Sequence, residues 1–311
     1  MKFGIHTGQQ DASYDELRTL WKLADSSGFS WVSVWDHFYE VPYVDGSSPV
    51  FETIAIMTAL AAETETVRVG CLVASAAFRS PAVLAKAATT VDHVSGGRAT
   101  LGLGAGWHAK EYEAFGYEFP GPKERLDMLE ESVQIVQGLL TQSRTTFEGS
   151  YYQVRDAQFN PKPVQAKLPV WIGGTGERRT IPMAARYADG WNAAYISANA
   201  LARKSAVLDQ SCERIGRDPR ELERSVNLGF YIKVDAGEAE RTKDEFYRVW
   251  STMPRDRDTG MLFGTPDQLI DQIGRYVDTG VDLINIALRP PYDRDALQAF
   301  IEDVLPAFPD S

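Results

Sequence analysis

The feature that most limits how this chain can fold is an alternation repeated along its whole length, in which a short apolar run of strand length is followed by a run with apolar side chains at helical spacing. Strand candidates fall at residues 2–7, 31–35, 67–73, 99–103, 169–173, 190–195, 225–234 and 283–288. Helix candidates lie at about 13–27, 51–63, 81–95, 123–140, 178–187, 201–215, 238–250, 265–277 and 293–305. Several boundaries are explicit. Ser13 with Glu16 and Thr265 with Gln268 have capping-box spacing, Pro81 and Pro266 stand at first helical positions, and Gly28 and Gly96-Gly97 stop helices. No Pro-, Gly- or Ser-rich linker divides the 311 residues. The pattern therefore predicts one domain over 1–311, an α/β fold of the (β/α)8 TIM-barrel kind rather than an open doubly wound sheet. A hairpin at 145–154, turning at Glu148-Gly149, and a connection at 251–264 that reads as mobile stand outside the repeat as insertions.

Composition narrows the partners. With 44% hydrophobic residues and 7 Trp, the chain can bury a large core, and its net charge of −11 argues against nucleic acid or an anionic membrane as a partner. No apolar run is long enough to span a bilayer and no signal-peptide pattern opens the sequence, so a cytoplasmic location is expected. Cys71 and Cys212 sit in a strand and a helix candidate, outside any C-x-x-C pattern, and read as structural thiols.

In such barrels chemistry sits where strands end and loops begin. That rule selects His6, Asp36, His37, residues 72–75, 105–108 and 173–176, Trp191 and Asn192; His93, inside a helix, reads as structural. Histidines at strand ends suit a divalent metal, as in barrel hydrolases or isomerases. However, the later strands end in Gly173-Gly174, Ala193-Ala194, Val234-Asp235 and Leu288-Arg289, poor ligand chemistry, so no metal is expected. The strand 99–103 opens into Gly102-x-Gly104-x-Gly106, one residue short of the dinucleotide fingerprint. Those glycines could admit something bulky, or could simply form a tight strand-to-helix turn. Small residues, apolar walls and backbone N–H groups at the strand ends are what a flat-ringed organic cofactor needs.

Trp35-Asp36-His37, Phe78-Arg79-Ser80-Pro81, Ser95-Gly96-Gly97-Arg98, the 102–107 run with Glu111-Tyr112 and Phe115-Gly116, the 172–178 run, Ala188-Asp189-Gly190-Trp191-Asn192 and Gly264-Thr265-Pro266 occur in this order. Together they resemble the bacterial luciferase-like monooxygenase superfamily, and within it the coenzyme F420-dependent oxidoreductases. The resemblance implies an oxidoreductase that transfers a hydride between the deazaflavin F420 and a small organic substrate, working as a homodimer. The alternative it carries is a two-component FMN-dependent monooxygenase. A cofactor-free barrel or a metal-dependent hydrolase or isomerase stands further off. It implies a non-prolyl cis peptide near Leu72-Val73 behind the cofactor ring, and Asp36 and His37 beside that ring as the catalytic pair. Ala105, Gly106, His108 and Tyr112 would surround the ring and its chain, and Gly173, Gly174, Thr175 and Gly176 would hold the phosphate, with Arg178 and Arg179 as candidate anion contacts. Arg98, Asp189 and Pro81 match the pattern but read as turn and packing positions. Trp107, Trp191 and Phe38 are candidate pocket walls, Arg79 says little about function, and substrate is expected beneath the 38–50 and 253–263 loops.

Overall fold

A computed structural model describes residues 1–41, 46–249 and 259–309. The chain opens with β1 (Lys2–Thr7) and α1 (Tyr14–Ser26), then β2 (Trp31–Val34), α2 (Thr53–Glu63), β3 (Arg68–Ser75), α3 (Pro81–Ser95) and β4 (Ala99–Gly104). A short α4 (Ala109–Ala114) and a long α5 (Pro122–Thr141) follow, with the hairpin β5 (Arg144–Glu148) and β6 (Gln153–Gln158). The second half runs β7 (Val170–Gly173), α6 (Thr180–Tyr187), β8 (Gly190–Ala194), α7 (Ala198–Arg214), β9 (Glu223–Ile232) and α8 (Ala236–Val249). It then completes with β10 (Met261–Gly264), α9 (Pro266–Val277), β11 (Leu283–Leu288) and α10 (Arg294–Ala299).

Among the described residues, β1, β2, β3, β4, β7, β8, β9 and β11 pair in parallel, and the β8–β9 pairing closes them into a barrel. Local chemistry sets the helix boundaries as expected. The Ser13 N–H donates to Glu16 Oε2 at 2.8 Å and the Glu16 N–H returns to Ser13 Oγ, a capping box that stabilises the first turn of α1 by about 1 kcal/mol. Gly96 takes φ +67° at the end of α3, a left-handed position that suits glycine. Each helix buries one apolar face against the strands, and this layer, running from Phe3 to Val304, is the main core.

Inside the barrel the filling is layered. At its amino end Trp31 and Trp171 meet edge to face, ring centroids 4.7 Å apart, and Arg68 lies over Trp31 while its guanidinium pairs with Glu223 at 2.8 Å. Glycines permit this, since a Cβ on Gly190 would overlap the Trp171 ring. Above lie hydrogen-bonded polar side chains: Asn227 Oδ1 accepts from Asn192 Nδ2 and from Asn285 Nδ2, each at 3.0 Å. Toward the carboxyl end the described residues leave a cavity.

One element departs from the sequence reading. Met261–Gly264, expected within a mobile connection, is a strand parallel to residues 229–232 of β9. At ten residues β9 outruns its neighbours, and β10 covers the backbone groups that β8 leaves unpaired. Residues 251–258 of that connection, and 42–45 of the other loop expected over the substrate, lie outside the described residues.

Candidate active site

A cavity of about 360 Å³ opens at the carboxyl ends of the strands. Its wall is mostly apolar and includes Asp36, His37, Leu72, Val73, Ala105, Gly106, Tyr112, Gly173 and Gly174, nine of the residues singled out from the sequence. Trp107 lines its rim, 61% exposed.

The wall is built around a turn in β3. The Leu72–Val73 peptide is cis, and the register with β4 shifts between Cys71 and Ala74. The Val73 side chain sits over the ends of β4 and β7: a Cβ on Gly104 would overlap Val73 Cγ2, and one on Gly173 would come within 2.6 Å of Val73 Cγ1. The same holds at Gly106, φ +73°, whose Cβ would overlap the Tyr112 hydroxyl, while Gly174 and Gly176 face Thr180. Of the two readings open at the sequence level, close packing of protein against protein therefore explains these glycines directly.

His37, half-buried, gives Nδ1 to Glu111 Oε1 at 2.8 Å. Glu111 is 1% exposed, and its Oε2 accepts the Phe38 N–H at 2.9 Å. Burial opposes the charge on Glu111, but the His37 ring and the Phe38 and Tyr39 N–H groups outweigh it and hold its carboxyl below the usual range. A carboxylate only accepts, so Nδ1 carries a proton and Nε2 is left without a partner among the described residues. Sequence reasoning passed over Glu111 as a motif residue because its partner lies 74 positions away; its one sequence signal is an acid in the first turn of the helix following the glycine loop.

Asp36 departs from the expected role. Its Oδ2 accepts from the Ser75 N–H at 2.8 Å and from Arg79 at 2.8 Å, and Arg79 also grips Glu52, the N-cap of α2. Burial opposes the charge on Arg79, yet the two carboxylates raise its pKa above the ordinary value. Asp36 is thus an ion-paired brace on the cavity wall rather than an open acid or base, and Arg79, read from sequence as uninformative, is what holds it.

Tyr112 is fully buried. Its hydroxyl bonds to Ser75 Oγ, and burial pushes its pKa up to about 12, so it buttresses Gly106 as a neutral phenol. His108 is not on the described cavity wall: it precedes α4, stacks on Trp107 with centroids 4.9 Å apart, and its Nε2 is buried without a partner. Burial lowers its pKa. Thr175 and Gly176 likewise lie beyond the wall, where the Thr175 carbonyl accepts from Lys204 at 2.9 Å. The helix expected from 178 begins at Thr180. Arg179 is no anion contact, since Asp127 and Glu130 of α5 take its guanidinium at 2.6 and 3.1 Å, and Arg178 is exposed. Trp191 is buried behind the wall, donating to the Gly174 carbonyl at 2.7 Å, and Phe38 stacks on Phe115 in a flanking aromatic cluster. Cys71 and Cys212 are both buried and unbridged.

A family model described as luciferase-like monooxygenase matches residues 1–260. The chain is similar to the F420-dependent glucose-6-phosphate dehydrogenase of Microbacterium testaceum, 28% identical over 335 residues covering 98% of this chain and 97% of that one. Its fold is shared with an F420-dependent secondary alcohol dehydrogenase solved with an F420-acetone adduct (TM-score 0.87, 20% identity, 99% of each chain). It is also shared with a monooxygenase from Streptomyces bottropensis (TM-score 0.82, 22% identity, 99% of this chain and 100% of that one). The barrel, the open cavity at its carboxyl end and a family match spanning most of the sequence agree, and the chain belongs to the luciferase-like monooxygenase family.

Proposed function

We propose that this protein is an oxidoreductase that uses the deazaflavin coenzyme F420 to transfer a hydride to or from a small organic substrate. The observation that supports it most is an apolar cavity flanked by His37 on a buried carboxylate, in a chain whose relative of almost equal length is named an F420-dependent dehydrogenase.

The residues present fit such a group. Leu72 and Val73 give a smooth apolar backing for a flat ring, and the Ala105-Gly106 backbone borders it without side chains in the way. Gly173, Gly174, Thr175 and Gly176, ahead of the amino end of α6, are the segment for the phosphate. Asp36 and Tyr112 hold this wall in shape through Arg79 and Ser75, and His108 supports the loop beneath Trp107.

When bound, F420 supplies a two-electron hydride site. His37 does the proton work: with Nδ1 held by Glu111, its Nε2 can accept the hydroxyl proton of an alcohol as the carbon gives up hydride, or return it in the other direction. Glu111 orients the ring and stabilises the imidazolium that forms. The apolar wall and Trp107 keep water from the reacting carbon.

The likeness to the Streptomyces monooxygenase supports a second reading, an FMN-dependent monooxygenase with a separate reductase. We read the protein as one domain over 1–311 that acts in the cytoplasm as a homodimer; no helix among the described residues is long and apolar enough to cross a membrane. Sedimentation velocity should give twice the 34.5 kDa chain mass. Anaerobic mixing of the protein with F420 and a panel of small alcohols tests the main reading. Bleaching of the deazaflavin absorbance by at least one alcohol is expected, whereas oxygen-dependent turnover with reduced FMN alone would overturn it.

A further inference from the structure

His6, at the carboxyl end of β1, is 4% exposed and lines the cavity together with Trp35, His37 and Arg289. Its Nδ1 lies 2.9 Å from Oγ of Ser33, the residue in register with it on β2, and its ring packs edge-on against Trp35 with centroids 5.5 Å apart. Nε2 has no partner among the described residues, on a ring that lines the cavity. A buried polar atom left open toward a cavity is what a ligand contact looks like before the ligand arrives.

The hydrogen-bond inventory fixes which nitrogen carries the proton. Ser33 is fully buried and His6 is its side chain's partner. If Nδ1 donated to Ser33, the Ser33 O–H would be left with no acceptor. Donation from Ser33 to Nδ1 satisfies both groups and leaves the hydrogen on Nε2. Burial, with Arg289 and His37 nearby, lowers the His6 pKa to about 3, so the ring stays neutral. His6 therefore offers one uncharged N–H, clamped in orientation, to a cavity that is otherwise mostly apolar.

We propose that His6 contacts the substrate, its Nε2–H donating to the oxygen on the reacting carbon of a small neutral alcohol or the corresponding carbonyl compound. This rests on the hydride-transfer reading of the same cavity. An uncharged donor binds a hydroxyl or carbonyl oxygen without demanding a negative charge, and Arg289, the described cation on the wall, already donates to the Val41 carbonyl. His6 transfers no proton; the alcohol proton goes to His37, and the His6 hydrogen bond is strongest while the O–H bond breaks and negative charge gathers on the oxygen.

The test uses full-length protein labelled with 15N-histidine. Its 4 histidines are few enough to assign with a His6→Gln variant. Cyclohexanone and cyclohexanol are the probes, added to protein saturated with F420, or with FMN if only FMN binds, or without cofactor if neither does. A wild type that binds no F420 thus defeats the deazaflavin reading while the imidazole spectrum still judges His6. The expected result is a shift of the His6 Nε2 resonance with no shift of His93. By calorimetry, cyclohexanone binding should weaken about tenfold in His6→Leu and less than about threefold in His6→Gln, with the cofactor dissociation constant unchanged. If His6→Leu does not fold, Ser33→Ala should weaken the probe about threefold by freeing the tautomer. An unmoved Nε2 resonance, a wild type that binds neither probe, or a His6→Leu protein that binds cyclohexanone like wild type would overturn the proposal.

Discussion

At the amino ends of the barrel strands, Arg98 donates to the carbonyls of Ser95, Val67, Ala61 and Thr64 and to the Thr64 hydroxyl, tying α2 and α3 to the start of β3 and β4. Asp189 accepts the Val170 N–H at 2.9 Å and pairs with Lys167, and Asp92 takes the N–H groups of Val164 and Gln165. At the carboxyl ends Asp36, Arg79 and Glu111 are likewise fully engaged, but two histidines beside them are only half used. His37 donates from Nδ1 to Glu111 and His6 accepts at Nδ1 from Ser33, and the Nε2 of each has no partner among the described residues. A polar group whose bonds are all made holds the fold; one held by a single partner, with its other atom facing a cavity, is positioned for a ligand.

The contrast can be broken most sharply at His37. His37→Gln should lower kcat for hydride transfer by about 10²–10⁴-fold while changing the urea midpoint little, because its amide N–H can still donate to the buried Glu111 but cannot take up a proton. Arg98→Ala should do the reverse. Removing one charged donor from several carbonyls should cost about 3 kcal/mol in urea unfolding, and the protein that remains folded should bind cofactor with wild-type affinity. Gly104→Ala probes the wall between them: its new Cβ overlaps Val73, so a loss of about 1–3 kcal/mol is expected together with weakened cofactor binding.

A further effect lies in the pH dependence of stability. The His6 pKa falls from 6.5 to about 3 on folding, so below pH 6.5 the unfolded chain takes up a proton that the folded protein refuses. This contribution destabilises the fold progressively from pH 6.5 down to about 3, by at most about 1.4 kcal/mol per pH unit. Urea titrations at pH 7 and pH 5 should show a larger loss for wild type than for His6→Gln, and equal losses would mean that the ring is charged in the cavity.

The saturated end of the molecule was the more legible in sequence. The strand and helix alternation and the caps at Ser13 and Gly96 depend on neighbours a few residues away or on turn chemistry, whereas Arg98 and Asp189, read from the motif pattern as turn and packing positions, bond to segments 19 to 37 residues away. What local pattern cannot carry is partnership across the barrel. Glu111 meets His37 from 74 positions away and Arg79 meets Asp36 from 43, so neither the carboxylate that holds the histidine nor the arginine that pairs with the aspartate was marked by local pattern. Glycines at strand ends signalled close approach correctly, but not that Val73, Tyr112 and Thr180 would fill the space. β10 escaped notice because four residues pair only with the overhang of β9, whose unusual length was the one available sign.

Fluorescence titration of the purified protein with F420 and, separately, with FMN tests the central claim most directly. The deazaflavin should bind with a micromolar or tighter dissociation constant while FMN does not. Binding of FMN alone, or of neither, would contradict an F420-dependent oxidoreductase.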